Sequence, residues 1–378
     1  MLTYPALAKL EQDLRERTVL SVYLNGEGAD SSTRTRWRAD LRHSLDDIES
    51  WLRDSSHGER ESFAARRRLV LERLDGIPGE IGAPGWVGFF TDEGSLHEGA
   101  VPVPVPTMAV WSTGACVAPY IRVLKETRPV IAAIVDSKQA RLFRYVDRSL
   151  QVLDTLTADV DIELARHMGR PSAQGFHTGT RGPTGTDAAQ AVLQKATERL
   201  LAETGSRIAA LAAGDAWIVI GGIPTVAATA LTRLAPALAG CAMRADLDVH
   251  ASDSRIAECA RRSASQLRDA DDLSRINRTI AASEANGAGV TGSVESKRAL
   301  DEGRARELYF TLRYLANHAA DVEAAVRSAF DHGTVVEQVS GVAAERLDAV
   351  GGVAAYLRFA AAGEAVASSA RASSATPR

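Results

Sequence analysis

"RPVIAAIVDSKQARLFRY", residues 128–145, reads as a strand, a tight turn at Asp136-Ser137-Lys138-Gln139 and a second strand. Downstream, a long polar run gives way to a helical pattern from Asp187 to about Ala213, with Asp187 as its start signal. "DAWIVIGG" (215–222) follows as a buried strand, and Pro224 suits the first turn of the next helix. "CAMRADLDV" (241–249) reads as one more strand. Strands and helices alternate through the rest of the chain as well, which predicts α/β domains.

Upstream, a helical pattern precedes the strand-like "TVLSVYLNG", and one long helical stretch runs from about Ser32 to Leu74. Within it Trp37, Leu41, Leu45, Ile48 and Leu52 recur at three- and four-residue spacing. "PGEIGAPGWVGFFTDEG" is a loop, a short buried strand and a turn. "VPVPVPTMAVW" must be extended, because proline at every other position excludes helix. Beyond residue 253 a helical run leads into helix, strand, helix and strand, with Gly303 and Gly333 closing two helices. The segment "AAERLDAVGGVAAYLRF" supplies a last helix, a glycine turn and a terminal strand. These patterns predict three domains: an N-terminal α/β domain over 1–126, a central one over 127–252 and a C-terminal one over 253–360. The small, polar tail 361–378 is expected to be disordered.

The chain has 378 residues, 45% of them hydrophobic and 24% charged, with a net charge of −4. That length exceeds one comfortable core. The mild negative charge argues against a protein that coats nucleic acid uniformly, so any RNA contact must come from local basic patches. Cys116, Cys241 and Cys259 are three widely separated cysteines, with no C-x-x-C pair. They read as reduced thiols in the cytoplasm, not as a disulfide framework or a zinc site. No apolar run approaches the roughly 20 residues needed to span a bilayer.

Conventional enzyme signatures are missing. "IVIGGIPTVAATALTRL" has the strand–glycine–helix order of a phosphate site but neither G-x-G-x-x-G nor G-K-[ST], and a tight turn feeding a helix explains it better. There is no H-E-x-x-H or G-x-S-x-G, and the eight histidines are scattered. Arg34, Arg36 and Arg38 surround Trp37, an arrangement that suits RNA backbone contact and base stacking, although taken alone it reads more naturally as a solvated helix face with Trp37 turned inward. "RRR" at 66–68 and Arg261-Arg262 are similar.

The polar run stands apart. Over 166–187 it carries Arg166, His167, Arg170, His177 and Arg181, with no acidic side chain before Asp187. Structureless loops beyond about 12 to 15 residues are uncommon inside compact domains and tend to be functional or disordered. A basic loop of this length either faces an anionic partner or is a disordered insertion, and the residues alone leave both readings open.

In order of elements, the chain resembles the bacterial homologues of the archaeo-eukaryotic class I peptide-chain release factor, a group that includes Pelota-type rescue factors. "TVLSVYLN", "VIAAIVDSKQARLFRY", the glycine-rich loop with "TDAAQAVLQKATERLLAE" and "AWIVIGG", and "GAGVTGSVESKRALDEGRARELYF" with "AVGGVAAYLRF" carry the resemblance. It implies three α/β domains. The central and C-terminal ones would each be a layered sandwich on a mixed sheet, the last akin to kink-turn RNA-binding ribosomal proteins.

The resemblance also implies a ribosome-binding translation factor acting in rescue, termination-like or hibernation function, with a translational GTPase as a partner and no metal or organic cofactor. In that family the central loop presents Gly-Gly-Gln to the ester joining peptide to tRNA. Glycines admit backbone torsions closed to other residues, and a backbone N–H beside the glutamine can stabilise charge on the attacked carbonyl. Here the loop reads Ser172-Ala173-Gln174-Gly175. Gln174 stands as the candidate catalytic residue, with Arg166, Arg170, His177 and Arg181 as contacts along the tRNA acceptor-end path. Both preceding glycines are replaced, and alanine or serine at positive φ costs about 1–2 kcal/mol. The Asn-Ile-Lys-Ser motif with which the family reads stop codons is absent, so decoding in the family's manner is not expected. Two alternatives remain: a peptidyl-tRNA ester hydrolase using the Gln174 loop, and a stress-related interaction protein of the same fold that has left the ribosome.

Overall fold

The computed structural model describes residues 1–28, 30–77, 79–159, 185–212 and 215–359. Its first helix, α1 (Tyr4–Leu14), starts at Thr3, whose side chain accepts the Ala6 amide, with Pro5 in the first turn. Strand β1 (Thr18–Asn25) is buried along six central residues. Three helices follow: α2 (Ser31–Thr35), α3 (Trp37–Trp51) and α4 (His57–Asp75). The sequence reading joined all three into one helix. The first break falls at Arg36 and the second at Ser56, whose side chain accepts the Glu59 amide at 3.2 Å and so caps a new helix in place of continuing the old one. Strands β2 (Gly85–Thr91), β3 (Gly94–Val101) and β4 (Met108–Thr113) complete an antiparallel sheet in the order β3-β2-β1-β4. Leu20, Val22 and Leu24 of β1 pack against Trp37, Leu41 and Leu45 of α3 and Phe63 and Val70 of α4. Each such fully buried aliphatic side chain contributes about 1.5–3 kcal/mol. Helix α5 (Ala118–Glu126) ends this stretch.

The central segment folds around a mixed sheet. Its strands are β5 (Val130–Val135), β6 (Gln139–Val146), β7 (Ser149–Thr157), β8 (Trp217–Gly222) and β9 (Ala242–Arg244). Its helices are α6 (Gly185–Ala212), α7 (Pro224–Thr232) and the long α8 (Asp253–Glu284). The order is β7-β6-β5-β8-β9, with β5, β8 and β9 parallel and the β5-β6-β7 meander antiparallel. Alternate residues of β5 serve opposite faces. Ile131, Ala133 and Val135 meet Leu200, Leu201 and Ile208 of α6, while Ala132 and Ile134 meet Ile256 of α8. Cover on both faces is why "VIAAIV" and "WIVI" are apolar without interruption. The expected strand in "CAMRADLDV" is shorter than its sequence pattern: only Ala242–Arg244 is strand, and beyond it single bonds such as Ala245 N–H to Ile220 O at 2.9 Å continue the edge.

A third sheet follows. Strands β10 (Gly289–Thr291), β11 (Ala305–Thr311), β12 (Val335–Val339) and β13 (Val353–Leu357) lie in the order β10-β13-β11-β12, with only the β11–β12 pair parallel. Helices α9 (Ser293–Asp301), α10 (Leu312–Asn317), α11 (Ala319–Asp331) and α12 (Gly341–Asp348) connect them. Gly303 and Gly333 adopt φ of 66° and 62° just past α9 and α11, the left-handed stop that glycine allows. Leu308, Phe310 and Ala355 face Leu300, Val322 and Val326; Tyr309 and Ala354 face Ile276, Ala343 and Leu347. The fold is therefore mixed α/β with three sheets, the second and third each layered between helices.

Packing divides the chain into two compact units, Arg128–Asp271 and the remainder, which combines Met1–Thr127 with the chain from Asp272 onward. In the larger unit one continuous apolar core holds Leu7, Tyr23, Phe89 and Tyr120 together with Leu300, Phe310 and Val326. The division at 271/272 falls within α8, whose first half packs on the central sheet through Ile256 and whose second half packs on the third sheet through Ile276. Where the larger unit's two segments end, Lys125 Nζ lies 2.5 Å from Asp272 Oδ1 and donates to Gln338 O at 2.9 Å. Both side chains are nearly buried, so removing the lysine alone would strand a carboxylate.

Candidate functional site

The candidate site is the end of the central sheet from which the basic run departs. The described chain leaves it at Asp159, after β7, and resumes at Gly185, the start of α6. Gln174, Arg166, Arg170, His177 and Arg181 all fall outside the described residues. What is on view is the frame that carries both ends of that segment.

The frame centres on the Asp136–Gln139 turn. Asp136 Oδ1 accepts the amides of Lys138 at 2.6 Å and Gln139 at 2.8 Å, and the Asp136 amide donates to Gln139 O at 2.9 Å. An aspartate that bonds its own backbone two residues on is a turn-former by chemistry. Three neighbours grip this turn. Just past β7, Ala158 N–H donates to Lys138 O at 2.7 Å; on α6, Thr197 Oγ1 donates to Ser137 O at 2.9 Å; and Ile223 N–H donates to Val135 O at 3.0 Å. On the same elements, Arg207 of α6 pairs with Asp154 of β7 at 2.9 Å. The exit from β7 and the middle of α6 are thus held to this turn.

The glycine pair that ends β8 belongs to this frame. Gly222 has φ of 109°, and a Cβ built there would lie 2.0 Å from Val135 O; one at Gly221 would meet Leu247 at 2.6 Å. Close backbone approach accounts for Gly222, and the Leu247 side chain for Gly221. The pair makes the tight turn into α7.

Arg34, Arg36 and Arg38 lie around the α2–α3 junction of the larger unit. Arg34 pairs with Glu80 at 3.3 Å and Arg36 with Asp40 at 3.4 Å. Arg38 donates to Ile77 O at 2.5 Å and lies 5.0 Å from the Trp37 ring centroid. Trp37 is buried and donates its indole N–H to Gly79 O at 3.2 Å. Arg36, 73% exposed, is the most open of the three. In the "RRR" run, Arg66 is buried beside Asp92 and burial holds its guanidinium below the ordinary range, while Arg67 pairs with Asp46 and Glu49.

Sequence reading missed a polar network in the larger unit. Glu323 of α11 takes three donors at the start of α5: the Cys116 thiol at 3.1 Å, the Val117 amide at 3.1 Å and the Ala118 amide at 2.7 Å. Tyr23 Oη donates to Cys116 O at 2.6 Å. Burial pushes the Cys116 thiol well up, so it is an inert structural group. Nearby, Glu11 is buried between Arg15 at 2.8 Å and Arg327 at 2.9 Å. Among the described residues, no three His, Cys, Asp or Glu side chains gather as metal ligands would, and no helix is long and apolar enough to cross a membrane.

Comparison with known proteins bears on the same region. No curated protein sequence matches the chain. Among solved structures, the Pelota protein of Archaeoglobus fulgidus is 13% identical over 74% of this chain and 80% of its own, with a TM-score of 0.35. The archaeal translation termination factor aRF1 is 17% identical over 95% and 99%, with a TM-score of 0.28. S. cerevisiae Dom34, described as a translation termination-like factor that interacts with Hbs1, is 13% identical over 74% and 81%, with a TM-score of 0.44. Residues 116–265, which contain the whole frame and the segment it carries, match the model of bacterial archaeo-eukaryotic release factor family 10. Over that stretch the chain is similar to this release-factor family.

Proposed function

We propose that the protein is a ribosome-associated translation factor of release-factor type, acting in rescue, termination-like or hibernation function without decoding stop codons. The observation that supports this reading is the family match over 116–265, a stretch that contains both the Asp136–Gln139 turn and the basic run that is acid-free from Arg166 to Asp187. In this reading the run enters the tRNA acceptor-end path, where Arg166, Arg170 and Arg181 contact phosphates. Gln174 is the residue the run would present there, and the open Arg36 adds an RNA contact from the larger unit. A translational GTPase would deliver the protein.

Occupancy and charge, rather than ester hydrolysis, describe the run's action best. Ser172-Ala173 precede Gln174, and each adds a Cβ where the family chemistry uses glycine torsions. Misplacing a reacting group by about 1 Å can cost on the order of a hundredfold in rate. Co-sedimentation with purified ribosomes tests the binding, and release of peptide from peptidyl-tRNA-loaded ribosomes tests the chemistry. Binding without release supports the proposal; absence of binding refutes it.

A further inference from the structure

We propose that the groove between α9 and α11 is a binding site for a small monocarboxylic acid with an apolar body. The inference is independent of the release-factor reading, since the groove belongs wholly to the larger unit. It is a cavity of about 250 Å³ over the third sheet, just below the usual range of ligand-site sizes and so suited to a small ligand. Leu300, Phe310 and Val322 line it with apolar surface. Small side chains on α11, Ala325 and Ser328, leave the space open.

One wall is made of donors. Helix α9 begins at Gly292, with φ of 81°, and no side chain caps it. The Ser296 amide is taken by Gly292 O at 3.2 Å, which leaves the amides of 293–295 without an intrahelical acceptor. Ser296 is 2% exposed, lines the cavity, and its Oγ has no hydrogen-bond partner among the described residues. A buried hydroxyl left unpaired costs about 1–3 kcal/mol, so an acceptor in the cavity would relieve it. Lys297, one residue on, also lines the cavity. Amides at a helix start, a hydroxyl and an ammonium together favour an anion.

The remaining wall limits how much negative charge fits. Asp321 of α11 and Asp301, at the far end of α9, line the same cavity. Two carboxylates facing the ligand disfavour a phosphate dianion, whereas one carboxylate seated at the α9 start keeps its distance from Asp301, about 12 Å along a helix of this length. The apolar surface then takes a chain about the size of a leucine side chain or longer. Such an acid could be the C-terminal end of a peptide or a free fatty acid.

Calorimetric titration of the full chain with N-acetyl-leucine and with octanoate distinguishes the two sources, with octylamine and octyl phosphate as controls. Saturable binding of either acid at millimolar concentration supports the site, and the tighter of the two identifies its source. Octylamine should not bind, and octyl phosphate should bind about tenfold more weakly or worse. Lys297→Met, at an exposed position, should weaken the acid about tenfold. Ser296→Ala should weaken it too while leaving the unliganded protein equally or more stable, because the unpaired hydroxyl is gone. Ala325→Leu should fill the groove and abolish binding. No saturable binding of either acid, octylamine binding as tightly as octanoate, or acid affinity unchanged in Lys297→Met would overturn the proposal.

Discussion

Glu323 Oε1 accepts the Ala118 amide at 2.7 Å across 205 residues of sequence, so a carboxylate of α11 caps the start of α5. Its other oxygen takes the Val117 amide. Glu323→Ala should lower stability by about 1–3 kcal/mol, since it leaves donors unpaired. Glu323→Gln should recover part of that, because an amide offers one acceptor and turns an N–H toward a donor. Burial, the largest effect, raises the Glu323 carboxyl above its ordinary value of 4.5, against the opposing pull of its donors. The folded protein therefore binds that proton more tightly than the unfolded chain. The resulting stabilisation is complete below about pH 4.5 and fades as pH rises through the folded value. Denaturant unfolding from pH 4 to 7 should show this fall in the native protein and a shallower one in Glu323→Gln. Parallel profiles would assign the effect to other groups.

Gly222→Ala should destabilise the central unit by about 3 kcal/mol or more, because strain at φ of 109° adds to a Cβ only 2.0 Å from Val135 O. Alanine at Gly240, where a Cβ meets nothing within 4 Å, should be tolerated. Thermal unfolding of the two variants decides it. Equal stability would mean the turn can relax, and the rigid frame would lose its footing.

How far the fold was legible follows from where its determinants lie. The hairpin of β5 and β6 and the glycine stops at Gly303 and Gly333 are written in local residue chemistry, and they appear where the sequence puts them. Strand β7 escaped because its turn uses Asp147 and Arg148 at φ of 50° and 62°, residues that do not advertise the left-handed region as Asn-Gly would. Strand β3, "GSLHEGAV", escaped because two glycines and a glutamate dilute its alternation. The Glu323 cap and the shared core of Leu7 with Leu300 are long-range contacts with no local signature. At the candidate site the turn was readable, but the residues that grip it, Thr197 and Ala158, were not.

Among the N-terminal arginines, function and stability should separate. Arg36→Ala should weaken ribosome association without altering the unfolding temperature, because its side chain is 73% exposed. Arg38→Ala should cost about 1 kcal/mol of stability, since it removes the bond to Ile77 O and the contact with Trp37. An Arg36→Ala protein that binds ribosomes as tightly as the parent would remove this helix junction from the RNA contact.

Peptide release offers a sharper test of the loop's chemistry. The unaltered protein should release little or no peptide from loaded ribosomes, and Gln174→Ala should change its binding little. Placing glycines at 172 and 173 should raise release if Gln174 occupies the family's glutamine position. Robust release by the unaltered protein, abolished by Gln174→Ala, would make it a peptidyl-tRNA hydrolase.

The most direct test of the central claim is co-sedimentation with ribosomes across a salt series. The account predicts that the protein pellets with ribosomes at low salt and dissociates as salt rises. Replacing Arg166, Arg170 and Arg181 together with alanine should weaken binding and flatten the slope of log affinity against log salt by roughly 2–3, since each lost phosphate contact removes about 0.7–0.9. A protein that stays in the supernatant at every salt concentration, or a triple variant with an unchanged slope, would contradict it.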